Sequence, residues 1–259
     1  MSHIVIKTPS QIEHMRVAGR LTYQTLELLR EYARPGITTK KLDKLAREFM
    51  RDNGATPSFL GYMGYPASIC ASVNDTIIHG IPSGYALKDG DILSVDVGAC
   101  IEGYHGDAAR TFLIGEVDEE TKHLVEITER CFTEGIKKAV AGNFVADISR
   151  EIQRIASEAG YGIVREFVGH GVGKQMHEAP EVPNFFAPRM PVVRLRAGMT
   201  IAVEPMINLG TRHIYLAPDN WGIKTEDGRK SAHFEMTVAV KHGKADVLTT
   251  YEFINDLKK

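Results

Sequence analysis

The residues of this chain best suited to chemistry are acids placed where a fold would bury them. Ser94-Val95-Asp96-Val97-Gly98 sets a carboxylate inside a run that otherwise reads as a core strand. An ionised carboxylate is costly there unless it is paired or bound to a metal. Asp107, in Tyr104-His105-Gly106-Asp107-Ala108-Ala109-Arg110, lies on the run that follows Glu102-Gly103. A hairpin turn at 101–103 brings it opposite Asp96 or one diagonal step away. Two ionised acids so placed repel, and a cation between them removes the repulsion; the alternative is that one of them pairs with Arg110.

Three more candidates follow in the second half. Gly169-His170-Gly171-Val172-Gly173 embeds an imidazole among glycines, which reads as a site loop rather than a strand interior. It lacks the spacing and the following helix of a dinucleotide fingerprint. Thr200-Ile201-Ala202-Val203-Glu204-Pro205 and Ala232-His233-Phe234-Glu235-Met236-Thr237 each insert one glutamate into an apolar β run. Solvent-facing alternation accounts for one such acid, but two in adjacent candidate strands are harder to dismiss. Four carboxylates and a neutral imidazole carry about −4, which two divalent cations neutralise. Oxygen-rich ligation with one imidazole suits manganese, iron, cobalt or zinc in an open, reactive pair. Cys70, Cys100 and Cys131 lack metal-type spacing, and as an odd set they read as reduced thiols.

These residues need elements to hold them. Thr8-Pro9-Ser10-Gln11 is a helix start, with Thr8 as cap and Gln11 able to reach back to it. Ile12, Met15, Ala18, Leu21 and Leu28-Leu29 then recur at helical period until Pro35-Gly36. A second helix runs from about Thr39, with Leu42, Leu45, Ala46 and Phe49 on one face and Gly54 as terminator. Short β runs follow at 69–73, 91–101 and 104–114, then helices over 119–140 and 147–158, then strands near 163–168, 199–208, 213–216 and 233–249. Helix, helix, strands and the same again imply two similar αβ halves facing one site. No Ser/Gly-rich or Pro-rich linker divides them, so residues 1–259 are expected to form one catalytic domain.

Composition excludes other classes. A net charge of −2, with no basic tract, gives no electrostatic footprint for nucleic acid. No window is apolar enough to span a bilayer, and the amino terminus lacks a secretory pattern, so a cytoplasmic protein is expected.

The residues resemble those of the type I methionine aminopeptidases of bacterial type, over nearly the whole chain. The matching stretches are Asn74-Asp75-Thr76-Ile77-Ile78-His79-Gly80-Ile81-Pro82, Ser94 to Gly98, Gly106-Asp107, Gly169 to Gly173 with His177-Glu178-Ala179-Pro180, Glu204-Pro205-Met206, and Ser231 to Thr237. The resemblance implies an α+β pita-bread fold, with two pseudo-symmetric αβ halves, a central antiparallel sheet and helices outside. It implies a dinuclear centre held by Asp96, Asp107, His170, Glu204 and Glu235, whose bound hydroxide attacks the first peptide bond. His177 and His79 match family histidines near the scissile carbonyl and the following amide, and Glu204 doubles as a proton carrier. Tyr62, Tyr65, Cys70, Met176 and Trp221 match the methionine pocket, with Phe59 at a related wall position. The implied substrate is a nascent polypeptide or peptide with a free amino-terminal methionine and a small second residue. The implied setting is a monomer acting near the ribosomal exit tunnel. Two residues beside ligands depart from common bacterial members: Met236 stands where histidine is frequent, and Gly98 where threonine is common.

Relatives of other activity fit less well. Proline-directed members usually carry a large amino-terminal domain, and type II members a helical insert that the short Glu204 to Glu235 interval leaves no room for. Non-catalytic binding members have lost ligands that are all present here.

Overall fold

The computed structural model describes residues 4–250. Helix α1, Pro9–Tyr32, starts as expected: Thr8 accepts from the Gln11 amide while the Gln11 side chain accepts from the Thr8 amide. That reciprocal pair satisfies two otherwise orphaned helix-end donors. Helix α2, Thr39–Asp52, is capped by the Thr38 hydroxyl, and Gly54 follows it in the left-handed region. Helix α3, Glu119–Ile136, begins on the Asp118 carboxylate, and helix α4, Val145–Glu158, has Asp147 reaching back to the Phe144 amide. The sequence expectation ran α3 on to 140; Lys137 caps it, and the chain turns to pair Val140 with Lys241.

The helices cover a nine-stranded sheet in which every pairing is antiparallel. Its centre is the hairpin Ile92–Ile101 and Tyr104–Leu113, which turns at Glu102 and Gly103. Both turn residues have positive φ, 51° and 77°, the geometry whose twist matches that of paired strands. Tyr104–Leu113 then pairs with Glu235–Ala239, which pairs with Thr200–Val203, then Gly169–Gly171 and Glu178–Val182.

Two cores flank this seam. One joins α1 and α2 to the hairpin through Leu21, Leu29, Leu42, Val95 and Val97. The other joins α3 and α4 to the second-half strands through Leu124, Ile148, Ile152, Ile201 and Val238. The helix, helix, strand order therefore packs as two halves, each with its own core, meeting at the strand pair 104–113 and 235–239.

Three strand expectations change. The run 199–208 divides into Thr200–Val203 and Met206–Asn208, because Pro205 cannot donate to a ladder. Its neighbour divides at the same level into Ser231–His233 and Glu235–Ala239. Glu204 therefore lies in a break between strands and Glu235 at a strand start, rather than inside continuous runs. The expected strand near 163–168 is only Gly162–Ile163.

His170 lies in the short strand Gly169–Gly171 and not in a loop. Its glycines serve close approach rather than positive φ. A methyl group on Gly169 would lie 2.4 Å from the Ala202 carbonyl oxygen, and one on Gly171 would lie 2.4 Å from that of Ala179. Among the described residues no helix is long and apolar enough to cross a membrane.

Candidate metal centre

Strand register alone assembles the acids. Residues directly opposite one another in neighbouring strands share a face, and alternate residues along a strand do too. Asp96 is opposite Ala109, and Ala109 is opposite Glu235 on its other side. Asp107, opposite Gly98, is two residues from Ala109 and one diagonal step from Asp96. Met236 is opposite Val203, so Glu204 emerges next to Glu235 as its strand ends. Gly171 is opposite Ile201, which sets His170 beside Ala202 on the same face. Ala109 and Ala202 are the small residues between the larger groups on that face.

The side chains converge as this register demands. His170 Nε2 is 3.6 Å from Asp107 Oδ2 and 3.5 Å from Glu204 Oε1. Asp107, His170 and Glu235 each offer one ligand atom within 4.8 Å of the others. His170 Nδ1 lies 2.9 Å from the Gly171 carbonyl oxygen. Donation there fixes the tautomer whose Nε2 lone pair faces the acids, which is how a metal-binding imidazole is oriented.

Asp107, His170, Glu204 and Glu235 are buried, and Asp96 is partly so. Each carboxylate has one oxygen buried with no hydrogen-bond partner: Asp96 Oδ1, Asp107 Oδ1, Glu204 Oε1 and Glu235 Oε1. Burial pushes Asp96 up to about 7. Asp107 rises well above the usual carboxylate range through burial and then the charges of Asp96 and Glu204, Glu235 through burial and then the charges of Asp107, Glu204 and Asp96, and Glu204 through burial and the charge of Asp96. Burial, and then the nearby His177, pull His170 down to about 3, so its imidazole is neutral. Orphaned anionic oxygens around a neutral imidazole are the donor set a divalent cation satisfies. The alternative pairing with Arg110 does not occur, since that guanidinium reaches Glu27 and Glu129 instead.

The expected pocket adjoins this centre. Cys70 is directly opposite Asp96 in the sheet. It packs in a buried cluster with Phe59, Tyr65, Ala67 and Met176, against which Ile81 and Trp221 lie. The Tyr65 and Trp221 rings meet edge to face at 5.0 Å, while the Tyr65 hydroxyl is held by the carbonyl oxygens of Ile69 and Gly80. Tyr62 does not join the buried wall. It is exposed at the rim, with its hydroxyl 2.8 Å from His177 Nδ1. The His177 ring lies 4.1 Å from that of His170. His79, in the left-handed region at φ 58°, meets Phe167 edge to face, and burial followed by the His177 charge lowers it to about 4.

Sequence reasoning missed the residues that hold these in place. The Thr237 hydroxyl accepts from the Asp107 amide and donates to its carbonyl oxygen, continuing the ladder where strand pairing stops. The Asn184 side-chain amide donates to the Glu204 carbonyl oxygen at 2.9 Å. A buried Lys7–Glu178 ion pair closes over Gly173 and fixes the turn that carries Met176 and His177. None of these pairs is close in sequence, so no local pattern announces them. His233 is different: it stands two residues before Glu235, and strand alternation was a usable signal that it faces the same way.

The departure at Gly98 has a steric cause. A methyl group there would lie 2.8 Å from Phe59 Cε1 and 2.8 Å from Ser58 Cβ. Phe59 and Gly98 are thus one adaptation, a large wall residue over a residue without a side chain. Gly98→Thr is expected to displace Phe59 and destabilise the fold by about 1–3 kcal/mol, with a change in KM for methionyl peptides. Unaltered urea unfolding and KM would contradict the coupling. Met236, the other departure, is partly buried against the second-half core.

The sequence profile of metallopeptidase family M24 matches residues 13–242. A methionine aminopeptidase of Clostridium perfringens is 50% identical over 247 residues, covering 95% of this chain and 98% of that protein. Methionine aminopeptidase 1 of Bacillus subtilis is 45% identical over 246 residues, covering 95% and 99%. The crystal structure of a methionine aminopeptidase from Thermotoga maritima superposes with a TM-score of 0.93 at 40% identity, over 96% of this chain and all of that one. A profile match spanning the sheet and the acids, together with this identity over nearly full length, makes the chain a member of metallopeptidase family M24 and, within it, of the bacterial methionine aminopeptidases.

Proposed function

We propose that this chain is a metal-dependent aminopeptidase that hydrolyses the first peptide bond of peptides and nascent proteins beginning with methionine. The observation that carries the reading is the direct pairing of Cys70 with Asp96, which sets an apolar, sulfur- and aromatic-lined pocket against the acid cluster. A thioether is polarizable and suits such a lining. Residues 1–259 act as one catalytic unit, whose extreme ends lie outside the described residues. We extend the same reading to a monomer working in the cytoplasm on chains leaving the ribosome, with no nucleic-acid or membrane partner.

Asp96, Asp107, His170, Glu204 and Glu235 would hold two divalent ions drawn from manganese, iron, cobalt or zinc. Bound there, the ions supply Lewis acidity towards the carbonyl and activate the attacking water. Glu204, buried at the edge of the cluster, takes a proton from that water and returns it to the leaving amine. Tyr62 orients His177 through Nδ1, so Nε2 can donate to the carbonyl oxygen as charge develops on it. His79, whose backbone hydrogen-bonds the Cys70 thiol, would serve the following amide. The family likeness points to a small second residue.

The test loads metal-free protein with manganese, cobalt, iron or zinc and assays Met-Ala-Ser beside Met-Pro, Leu-Ala-Ser and acetylated peptides. Cleavage of Met-Ala-Ser with slow turnover of the leucyl peptide is expected, since a hydrophobic pocket separates such side chains by only about 1–3 kcal/mol. No cleavage with any metal, or cleavage of the acetylated peptide, would overturn the reading. His177→Ala is expected to lower kcat by about 10²–10³ while metal content stays whole; unchanged kcat would remove His177 from the chemistry.

A further inference from the structure

His233 is not among the five side chains that the family resemblance assigns to the metals, yet it faces them. It is 2% exposed, and its Nε2 is buried with no hydrogen-bond partner. That atom lies 3.9 Å from Glu235 Oε2 and 4.0 Å from Glu204 Oε2. Glu204, His233 and Glu235 each offer one ligand atom within 4.8 Å of the other two, a second such set beside that of Asp107, His170 and Glu235.

These separations are too long for hydrogen bonds. They suit donors that share an ion: bonds of about 2.1 Å put two ligand atoms roughly 3 Å apart when adjacent and 4.2 Å apart when opposed. A neutral imidazole buried without a partner is itself unfavourable, and a cation held with Glu204 and Glu235 relieves it.

The residue is also held rigidly. The Thr111 hydroxyl accepts from the His233 amide at 2.9 Å and donates to its carbonyl oxygen at 2.9 Å, with Ser94 Oγ 2.8 Å behind it. His233 is opposite Met206 in the neighbouring strand, and the chain breaks at Phe234 before Glu235. The break lets two residues spaced for one strand converge on one point. Such backbone anchoring from a neighbouring strand is the support that metal ligands require.

We propose that His233 Nε2 is an inner-sphere ligand of one of the ions, sharing it with Glu204 and Glu235, so that this centre has two imidazole ligands in place of one. The inference rests on the metal-centre reading above and extends it to a sixth side chain.

The test uses the intact protein loaded with cobalt(II), with ligation read by anomalous diffraction and X-ray absorption, and affinity by calorimetry. Nε2 of His233 is expected within about 2.3 Å of a cobalt ion, with two imidazoles per protein in the absorption spectrum. His233→Gln is expected to remove one of the two imidazoles and to weaken one cobalt site by about 10-fold or more. One imidazole per protein, His170 alone, with unchanged affinity in the variant would overturn the role of His233 and leave the metal centre standing. One imidazole with weakened affinity also overturns direct ligation, making His233 a positioning residue for Glu204. No cobalt binding by the unaltered protein would overturn the metal centre itself, and His233 with it.

Discussion

Chelated protein is expected to melt at a higher temperature at pH 5 than at pH 8, and added divalent metal is expected to reverse that order. Asp96 is raised from 3.8 to about 7 by burial, and Asp107, Glu204 and Glu235 are raised as well. Without metal, the four acids of the folded protein therefore keep protons that the unfolded chain releases from about pH 4 upward; the buried imidazoles of His79, His170 and His233 act in the opposite sense, but only below their unfolded value of 6.5, and are outnumbered. Stability falls wherever the folded state binds more protons, so it is greatest below the unfolded pKa and is lost as pH rises through the folded values. Metal occupies the same oxygens and requires them ionised, so its affinity grows with pH. At about 1,000 times its dissociation constant a bound ion contributes roughly 4 kcal/mol, on the order of 10 °C for a chain of this size. Calorimetric scans of chelated and manganese-loaded protein at the two pH values measure this directly. A chelated protein whose melting temperature ignores pH, with no rise on adding metal, would contradict the buried acid cluster. Activity should disappear with the ions and return with them.

Glu235→Gln should separate catalysis from stability. Glu235 belongs to both ligand sets, one with Asp107 and His170 and the other with Glu204 and His233. Its loss is expected to weaken both ions. Lewis-acid stabilisation is worth several kcal/mol, so kcat/KM should fall at least about 10³-fold. The metal-free variant should nevertheless melt above the metal-free parent at pH 8. Its amide removes one of four mutually repelling buried acids, and replacing an unpaired buried charge relieves a desolvation cost. Elemental analysis, steady-state kinetics and melting of the chelated forms check the three parts separately. A variant that keeps both ions and full activity would remove Glu235 from the centre. One that melts below its parent without metal would show that Glu235 stabilises the fold by itself.

Much of this protein was determined by local sequence. Thr8 with Gln11, Thr38 and Asp118 begin helices because short polar side chains satisfy amides a few residues away. Glu102-Gly103 turns the hairpin because Gly103 takes positive φ without steric cost, and Glu102 follows it there. That turn sets the register, and the register sets the diagonal approach of Asp96 to Asp107, so a cation could be argued from the chain itself. Five candidate ligands were legible because an acid or imidazole in an apolar run has few other reasons to be there.

What only the tertiary structure decided are relations across strands that no local pattern encodes. His170 proved to be in a strand because its glycines admit the Ala202 and Ala179 carbonyls, contacts made by residues distant in sequence. The runs carrying Glu204 and Glu235 break at one level because Pro205 interrupts the first and its partner breaks beside it. Thr237, Asn184, Lys7 and Thr111 brace the site through hydrogen bonds and an ion pair that span most of the chain. His233 has a signal in its spacing, but its orphaned nitrogen exists only once Glu204 and Glu235 are folded around it. Side-chain type and alternation report which way a residue faces. Which groups meet there, and which remain without a partner, depends on the packing of two halves with distinct cores.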